Sequence, residues 1–406
     1  MSADYDILII GGGLVGASLA CALGNQALRV GLIEAKPLAT GAPAHYDERS
    51  IALSYGSRLI FDALGLWPAL AAHATPIRHI LISNRGHFGA TRLAAQDEGV
   101  DALGYVTPAR VIGTVLAESL VQFANVELLC PAQLERVTLG EEAAEVTVTM
   151  AGEARQLRGR LIVAADGANS AVRESLGIQT RHWGYAQTAV IANITPENFH
   201  QYTAYERFTD SGPLAMLPLQ NERCGVVWTV GSSDADTIMA LDDAQFLARL
   251  QARFGQRLGR LLKVGARQAY PLTLVRARES VRARLALIGN AAHSLHPVAG
   301  QGFNLGLRDV AALADTVMNA LRSGIDIGNL AMLQSYADAR RRDQRGVIAF
   351  TDGLARIFSN PLAPVAFARN LGLIAVDLLP AGKHFLTRRT MGLAGRLPRL
   401  ARGLEL

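Results

Sequence analysis

Three glycine-rich turns carry the chemistry that can be read from this chain. They are Gly11-Gly12-Gly13-Leu14-Val15-Gly16, Asp166-Gly167-Ala168-Asn169-Ser170 and Gly289-Asn290-Ala291-Ala292-His293. In a Gly-x-Gly-x-x-Gly turn, Gly11 permits the tight reversal and Gly13 lets backbone approach a diphosphate. Gly16 lets the following helix pack close on its strand. The diphosphate would sit on unpaired N–H groups at the positive end of that helix. Glu34 closes a second apolar run eighteen residues past Gly16, where a carboxylate accepts hydrogen bonds from an adenosine ribose. An acid at that point suits FAD or NAD and repels the 2′-phosphate of NADP.

Each turn is delivered by an apolar run, at residues 7–10, 161–165 and 285–288. Such runs are continuous and not alternating, as parallel strands buried on both faces require. Ligands of doubly wound sheets bind beyond the carboxyl ends of the strands, so three such ends define one extended site. Asp166 and Asn290 suit the second ribose and a ribityl chain, and Gly300, Gly302 and the helix start after them suit a flavin edge. Arg49 follows the second strand closely enough to reach the same ligand.

The remaining chain reads as a frame for that site. With 406 residues, half of them hydrophobic and 18% charged, two domains are expected. Residues 187–230 alternate like antiparallel strands inserted in an α/β frame, with a further strand pair over 77–93 around Asn84-Arg85-Gly86-His87. His87 in that turn reads as a solvated residue. Helices are expected over 111–123, 243–254, 305–322 and 334–350, and the apolar stretch 362–379 precedes the end. No uncharged apolar run of eighteen residues occurs, so no membrane span is expected. The run at 7–10 is flanked by Asp4 and Asp6 and reads as a strand, not as a leader. Cys21, Cys130 and Cys224 are far apart and odd in number, which suggests reduced thiols in the cytoplasm and no disulfide frame or zinc site. His293 and His296 lack a carboxylate partner in sequence and are not read as metal ligands.

The order and spacing of the three turns resemble the class A flavoprotein aromatic monooxygenases, a group that includes para-hydroxybenzoate hydroxylase. The likeness spans residues 1 to about 345. Further stretches are similar to the ubiquinone-biosynthesis hydroxylases, nearest the 2-polyprenyl-6-methoxyphenol branch. These are Asn84-Arg85-Gly86-His87, Glu206-Arg207-Phe208, Gly212-Pro213-Leu214-Ala215-Met216-Leu217-Pro218 and the run from His296-Pro297-Val298-Ala299-Gly300-Gln301-Gly302-Phe303-Asn304 to Gly306. Gly289-Asn290 departs from the Gly-Asp of the wider class, keeping an acceptor oxygen while losing a charge. The benzoate-binding residues of the wider class have no counterpart motif here.

The resemblance implies an FAD-binding doubly wound domain over 1–75, 100–180 and 275–345. It implies an inserted antiparallel-sheet substrate domain over 76–99 and 181–274, and a helical C-terminal segment over 346–406. FAD would be held by Gly11, Gly13, Gly16, Glu34, Arg49, Asp166, Gly167, Ser170, Arg173, Gly289, Asn290, Gly300, Gln301, Gly302 and Asn304. NADPH would dock transiently near the Asp-Gly turn, with Arg173 on that side. The implied chemistry is a C4a-hydroperoxyflavin formed with O2 that hydroxylates an electron-rich phenol, 2-polyprenyl-6-methoxyphenol going to the 1,4-benzoquinol. Pro297 would lie between flavin and substrate, and His296 would tune phenol ionisation. Alternatives are hydroxylation of another ring carbon in the same pathway, or a non-catalytic flavoprotein scaffold of a biosynthetic assembly.

Charge is uneven along the chain. After Pro380 stand Lys383, Arg388, Arg389, Arg396, Arg399 and Arg402 against Glu405 alone, a balance equal to the whole net charge of +5. With Leu386, Met391, Leu393 and Leu397 among them, this tail reads as a peripheral contact with anionic lipid at the inner face of a membrane, or with an assembly partner. Nucleic acid is not expected, since no binding motif accompanies the basic residues.

Overall fold

The computed structural model describes residues 3–37, 46, 49–294, 301–359 and 363–406. Its centre is a sheet in which the strand Tyr5–Ile10 lies between Val30–Ile33 and Glu153–Ala164, all parallel. The strand Leu285–Leu287 runs parallel beyond Glu153–Ala164, and Val126–Leu129 runs parallel beyond Val30–Ile33. Ile7, Leu8 and Ile9 are fully buried, because helices cover one face and a hairpin covers the other. The pairs Ile10 with Ala164 and Ala164 with Leu287 put three strand ends level at one edge. All three glycine-rich turns therefore start from the same place.

A second sheet contains Thr180–Pro196, Thr203–Thr209, Gly212–Pro218, Cys224–Gly231 and Gln268–Ala277. His79–Asn84 and Ala90–Ala94 extend it, so residues distant in sequence share one sheet. The expected antiparallel sheet is present, with one parallel pair in it. Thr203–Thr209 pairs in parallel with His79–Asn84, which arrives from a separate part of the chain and not through a hairpin. Helices Ser232–Met239 and Asp243–Phe254 cover the outer face, where Trp228 and Phe246 meet at ring centroids 5.7 Å apart. A small sheet, Ser50–Ser54, Gly104–Pro108 and Thr75–Ile77, bridges toward the central domain.

The C-terminal segment has a defined place in the fold. The helix Pro380–Thr390 and the residues after it are folded onto the body. Met391, Leu386 and Leu393 join one apolar cluster, and Leu397 and Leu400 join the main core. Lys383 pairs with Asp97 at 3.1 Å, His384 meets Glu98, and Asp315 accepts the backbone N–H of Arg399 at 2.8 Å. Of the apolar residues assigned to a bilayer, Met391 is buried and Leu386, Leu393 and Leu397 are half-buried against the body, where packing stabilises them without any lipid. Among the described residues, no helix is long and apolar enough to cross a membrane.

Candidate active site

Geometry at the first turn follows from the absence of side chains. Gly11 adopts φ +102°, and a Cβ there would meet the Ala165 carbonyl oxygen at 2.7 Å. A Cβ on Gly16 would lie 1.9 Å from the carbonyl oxygen of Gly11, so only glycine permits this helix to start so close to the strand. Gly13 differs from both: a Cβ there would meet nothing within 4 Å. It precedes the helix Leu14–Ala22 and makes no side-chain cap, so among the described residues no cap side chain takes the first-turn N–H groups. Glycine is thus structural at 11 and 16, whereas at 13 it keeps clear a space at the positive helix end. That space fits a diphosphate.

Beside it, Glu34 accepts the Gly12 N–H at 2.6 Å and the Lys36 N–H at 2.9 Å. Two backbone donors fix the carboxylate, and its remaining lone pairs suit ribose hydroxyls. At the second turn, Asp166 Oδ2 accepts the Val172 N–H at 3.1 Å. Its Oδ1 is buried with no hydrogen-bond partner among the described residues. A buried, unsatisfied acceptor costs energy unless something donates to it, and a ribityl or ribose hydroxyl would do so. Gly167 takes φ +86°, and Ser170 caps the short helix that follows by accepting the Arg173 N–H.

Arg173 lies differently from its sequence-based place. It is buried, donating one Nη to the Ala291 carbonyl at 2.8 Å and the other to the Ala168 carbonyl. Burial lowers its pKa, partly opposed by Asp166. Its guanidinium staples the second turn to the third, and both terminal nitrogens are already engaged.

The third turn is held by residues that sequence reasoning missed. Gly289, at φ +57°, packs on Val15 of the first helix, as does Gly306. Its N–H donates to Asp309 Oδ2 at 3.0 Å, and His293 Nε2 approaches the same oxygen at 2.6 Å. Asp309 Oδ1 accepts from Arg340 Nε at 2.7 Å and from Gln344 at 3.2 Å. Burial alone would raise this carboxyl; His293 and Arg340 together overcome it and hold the pKa well below the usual carboxylate range. The signal was present in the sequence: Arg308-Asp309 interrupts an apolar helix face, and such a charge survives burial only when paired. Among the described residues, no group of His, Cys, Asp and Glu could hold a metal ion.

Other assigned residues divide. Asn290 is exposed beside this turn and Gly302 has open space at its Cβ, so both remain available to a ligand. Asn304 is corrected: its Oδ1 accepts the Ser54 N–H at 2.8 Å and the Ser57 hydroxyl at 2.7 Å, while its amide donates to Ala52 at 2.8 Å. That side chain clasps the long helix Gln301–Arg322 to the small sheet. Gln301 is buried and reaches the Thr390 carbonyl at 3.4 Å. Arg49 is exposed at the entry to Ser50–Ser54. His296, Pro297 and Gly300 lie outside the described residues.

Comparison with known proteins then decides the family. Residues 4–351 match the FAD binding domain family. Ubiquinone hydroxylase UbiL of Rhodospirillum rubrum is 40% identical over 99% of this chain and 93% of that protein. The Escherichia coli 3-demethoxyubiquinol 3-hydroxylase is 33% identical over 96% and 98%. The human ubiquinone biosynthesis monooxygenase COQ6 is 30% identical over 92% and 89%. The chain belongs to the FAD-dependent hydroxylases of ubiquinone biosynthesis.

As a member of that family it is a flavoprotein aromatic monooxygenase with a reduced pyridine nucleotide as reductant. Solved structures share the fold of this hydroxylase. The p-nitrophenol 4-monooxygenase PnpA of Pseudomonas putida matches 98% of this chain and all of that one, with a TM-score of 0.80 at 20% identity. PqsL of Pseudomonas aeruginosa, in complex with 2-aminobenzoylacetate, matches 91% and 99% with a TM-score of 0.76 at 23% identity. The open space at Gly13 and the unsatisfied Asp166 Oδ1 are what bound FAD requires, so the residues present fit the cofactor.

Proposed function

We propose that this hydroxylase acts on a polyprenyl phenol, converting 2-polyprenyl-6-methoxyphenol to the 1,4-benzoquinol with NADPH and O2. The observation that supports this most is the inner face of the second sheet. Ile82, Glu206, Ala215, Val227 and Ile191 lie in one row across five strands, and all keep part of their surface accessible. An apolar wall with one ionisable group suits an apolar ring bearing one hydroxyl.

Bound FAD supplies oxygen activation at the expense of NADPH. Gly11, Gly13, Gly16 and Glu34 would hold its adenosine diphosphate portion, with Asp166, Gly289, Asn290 and Gly302 along the rest. The protein's own work is to orient the ring, exclude water and handle the phenol proton. The hydroxyl directs new oxygen to the carbon para to it, because electron density from a developing phenolate concentrates there.

A second reading has its own support. The E. coli relative named for hydroxylation at a different ring carbon is 33% identical along nearly the whole chain. Purified holoenzyme given NADPH and a short-chain 2-methoxy-6-prenylphenol tests both. Stimulated NADPH oxidation with a para-hydroxylated product supports the first reading, and product hydroxylated elsewhere supports the second. NADPH oxidation that no phenol stimulates would contradict both.

Peripheral membrane contact is retained as a proposal with a different contact surface. Leu371, Leu378, Leu379 and Phe385 are 52%, 72%, 60% and 64% exposed around the junction of helices Ala363–Leu378 and Pro380–Thr390. With exposed Arg388 nearby in sequence, this corner suits an anionic bilayer that holds the substrate.

A further inference from the structure

The strand Thr203–Thr209 turns alternate side chains to opposite faces of the second sheet. Tyr205 points outward, its ring centroid 5.4 Å from that of Phe254, and Arg207 points the same way toward Gly255. Ala204, Glu206 and Phe208 point inward. Ala204 clusters with Ile77, Val106 and Leu217, and Phe208 with Ile82 and Leu373. Glu206 lies between these two apolar groups, opposite Ile82 in one ladder and Ala215 in the other.

Glu206 therefore occupies an uncommon position. No hydrogen bond or ion pair to it exists among the described residues. Its same-face neighbours along the strand, Ala204 and Phe208, and those across the two ladders, Ile82 and Ala215, carry no charge. It is half-buried on the inner face of the sheet. An unpaired carboxyl is costly in such a place. Natural cores avoid that cost unless the group has a function.

We infer that Glu206 is the base that receives the phenol proton during hydroxylation, an assignment that rests on the phenol reading above. The phenol O–H bond breaks and its electron pair stays on oxygen, where it delocalises to the ortho and para carbons. The proton forms an O–H bond with a Glu206 carboxylate oxygen. No oxidant or reductant enters this step, and net charge moves from carboxylate to phenolate without changing. Burial raises the Glu206 carboxyl from 4.5 to about 7, which makes its ionised form a far better base than a surface carboxylate while leaving it available at neutral pH. Neither Arg85 nor Arg257 opposes this, since both neighbour Arg207 on the outer face.

Glu206→Gln keeps the shape and cannot take a proton. With NADPH and the 2-methoxy-6-prenylphenol, product formation near pH 7.5 should fall about 100-fold or more. The residual rate should rise with pH as the phenol ionises unaided. Flavin content should stay at the wild-type level, and Glu206→Asp should recover part of the rate. If wild type forms product and Glu206→Gln forms it as fast, with the same pH profile, the assignment is overturned and the phenol reading stands. If wild type hydroxylates no phenol, the functional reading fails and the assignment with it. Should the variants fail to hold FAD, the wild-type profile decides. Hydroxylation must decline below about pH 7 with a single-proton dependence, and a flat profile overturns the inference.

Discussion

His293 Nε2 lies 2.6 Å from Asp309 Oδ2, with both groups sealed from solvent. The same oxygen takes the Gly289 N–H, so the carboxylate ties the third glycine turn to the long helix behind it. Asp309→Asn would keep an acceptor for Gly289 while leaving the buried Arg340 without its main counter-charge. Breaking a buried pair in this way costs about 3–5 kcal/mol. Chemical denaturation should show a loss of that size, together with less FAD per protein. Wild-type stability in this variant would mean that the cluster holds nothing.

Two glycines of one motif should behave in opposite ways. Gly16→Ala places a methyl 1.9 Å from the Gly11 carbonyl, so the turn cannot form and folded protein should be scarce. Gly13→Val has room and an ordinary φ of −63°, and so should fold; its side chain would then enter the diphosphate space. Absorbance and thermal melting together read this as folded and colourless. Yellow Gly13→Val protein would place the diphosphate elsewhere.

Glu206 has a signature in stability as well as in rate. Its folded pKa of about 7 stands above its ordinary 4.5. The neutral form is therefore favoured by folding, and that contribution is fully present below 4.5 and lost as pH rises through about 7. Glu206→Gln removes the dependence. The variant should match wild type near pH 4 and exceed it by up to about 3 kcal/mol at pH 8, measured by denaturant titration at both values. Equal stability at pH 8 would show that the carboxyl is solvated.

The corner formed by Leu378, Leu379 and Phe385 predicts membrane behaviour. A Leu378→Asp, Phe385→Glu double variant should lose flotation with anionic liposomes at low salt, whereas activity on a water-soluble phenol should hold. Flotation that survives this change, or that wild type lacks, would remove the corner from the account.

Much of the frame was legible in the sequence because its signals are local. Continuous apolar runs gave the parallel strands, and glycines at 11, 13 and 16 marked a turn that few other residues allow. Non-local facts were not legible. Asn304 had the right type for a cofactor ligand, yet its partners Ala52, Ser54 and Ser57 come from about 250 residues earlier. Arg173 read as a surface cation because nothing local indicates that Ala168 and Ala291 close around it. The tail looked free for the same reason, since Leu397 and Leu400 find their core only once the long helix is in place. Glu206 was visible only as part of a family stretch. Its isolation depends on ladder partners that the chain supplies from Ile82 and Ala215.

The central claim is that this flavoprotein inserts one oxygen atom from O2 into the ring of a polyprenyl phenol, para to its hydroxyl. Holoenzyme supplied with NADPH, 18O2 and 2-methoxy-6-prenylphenol tests it directly by mass spectrometry of the product. The account predicts a 1,4-benzoquinol carrying a single 18O at the new hydroxyl. Product labelled at another carbon, or NADPH consumed with hydrogen peroxide as the sole oxygen product, would contradict it.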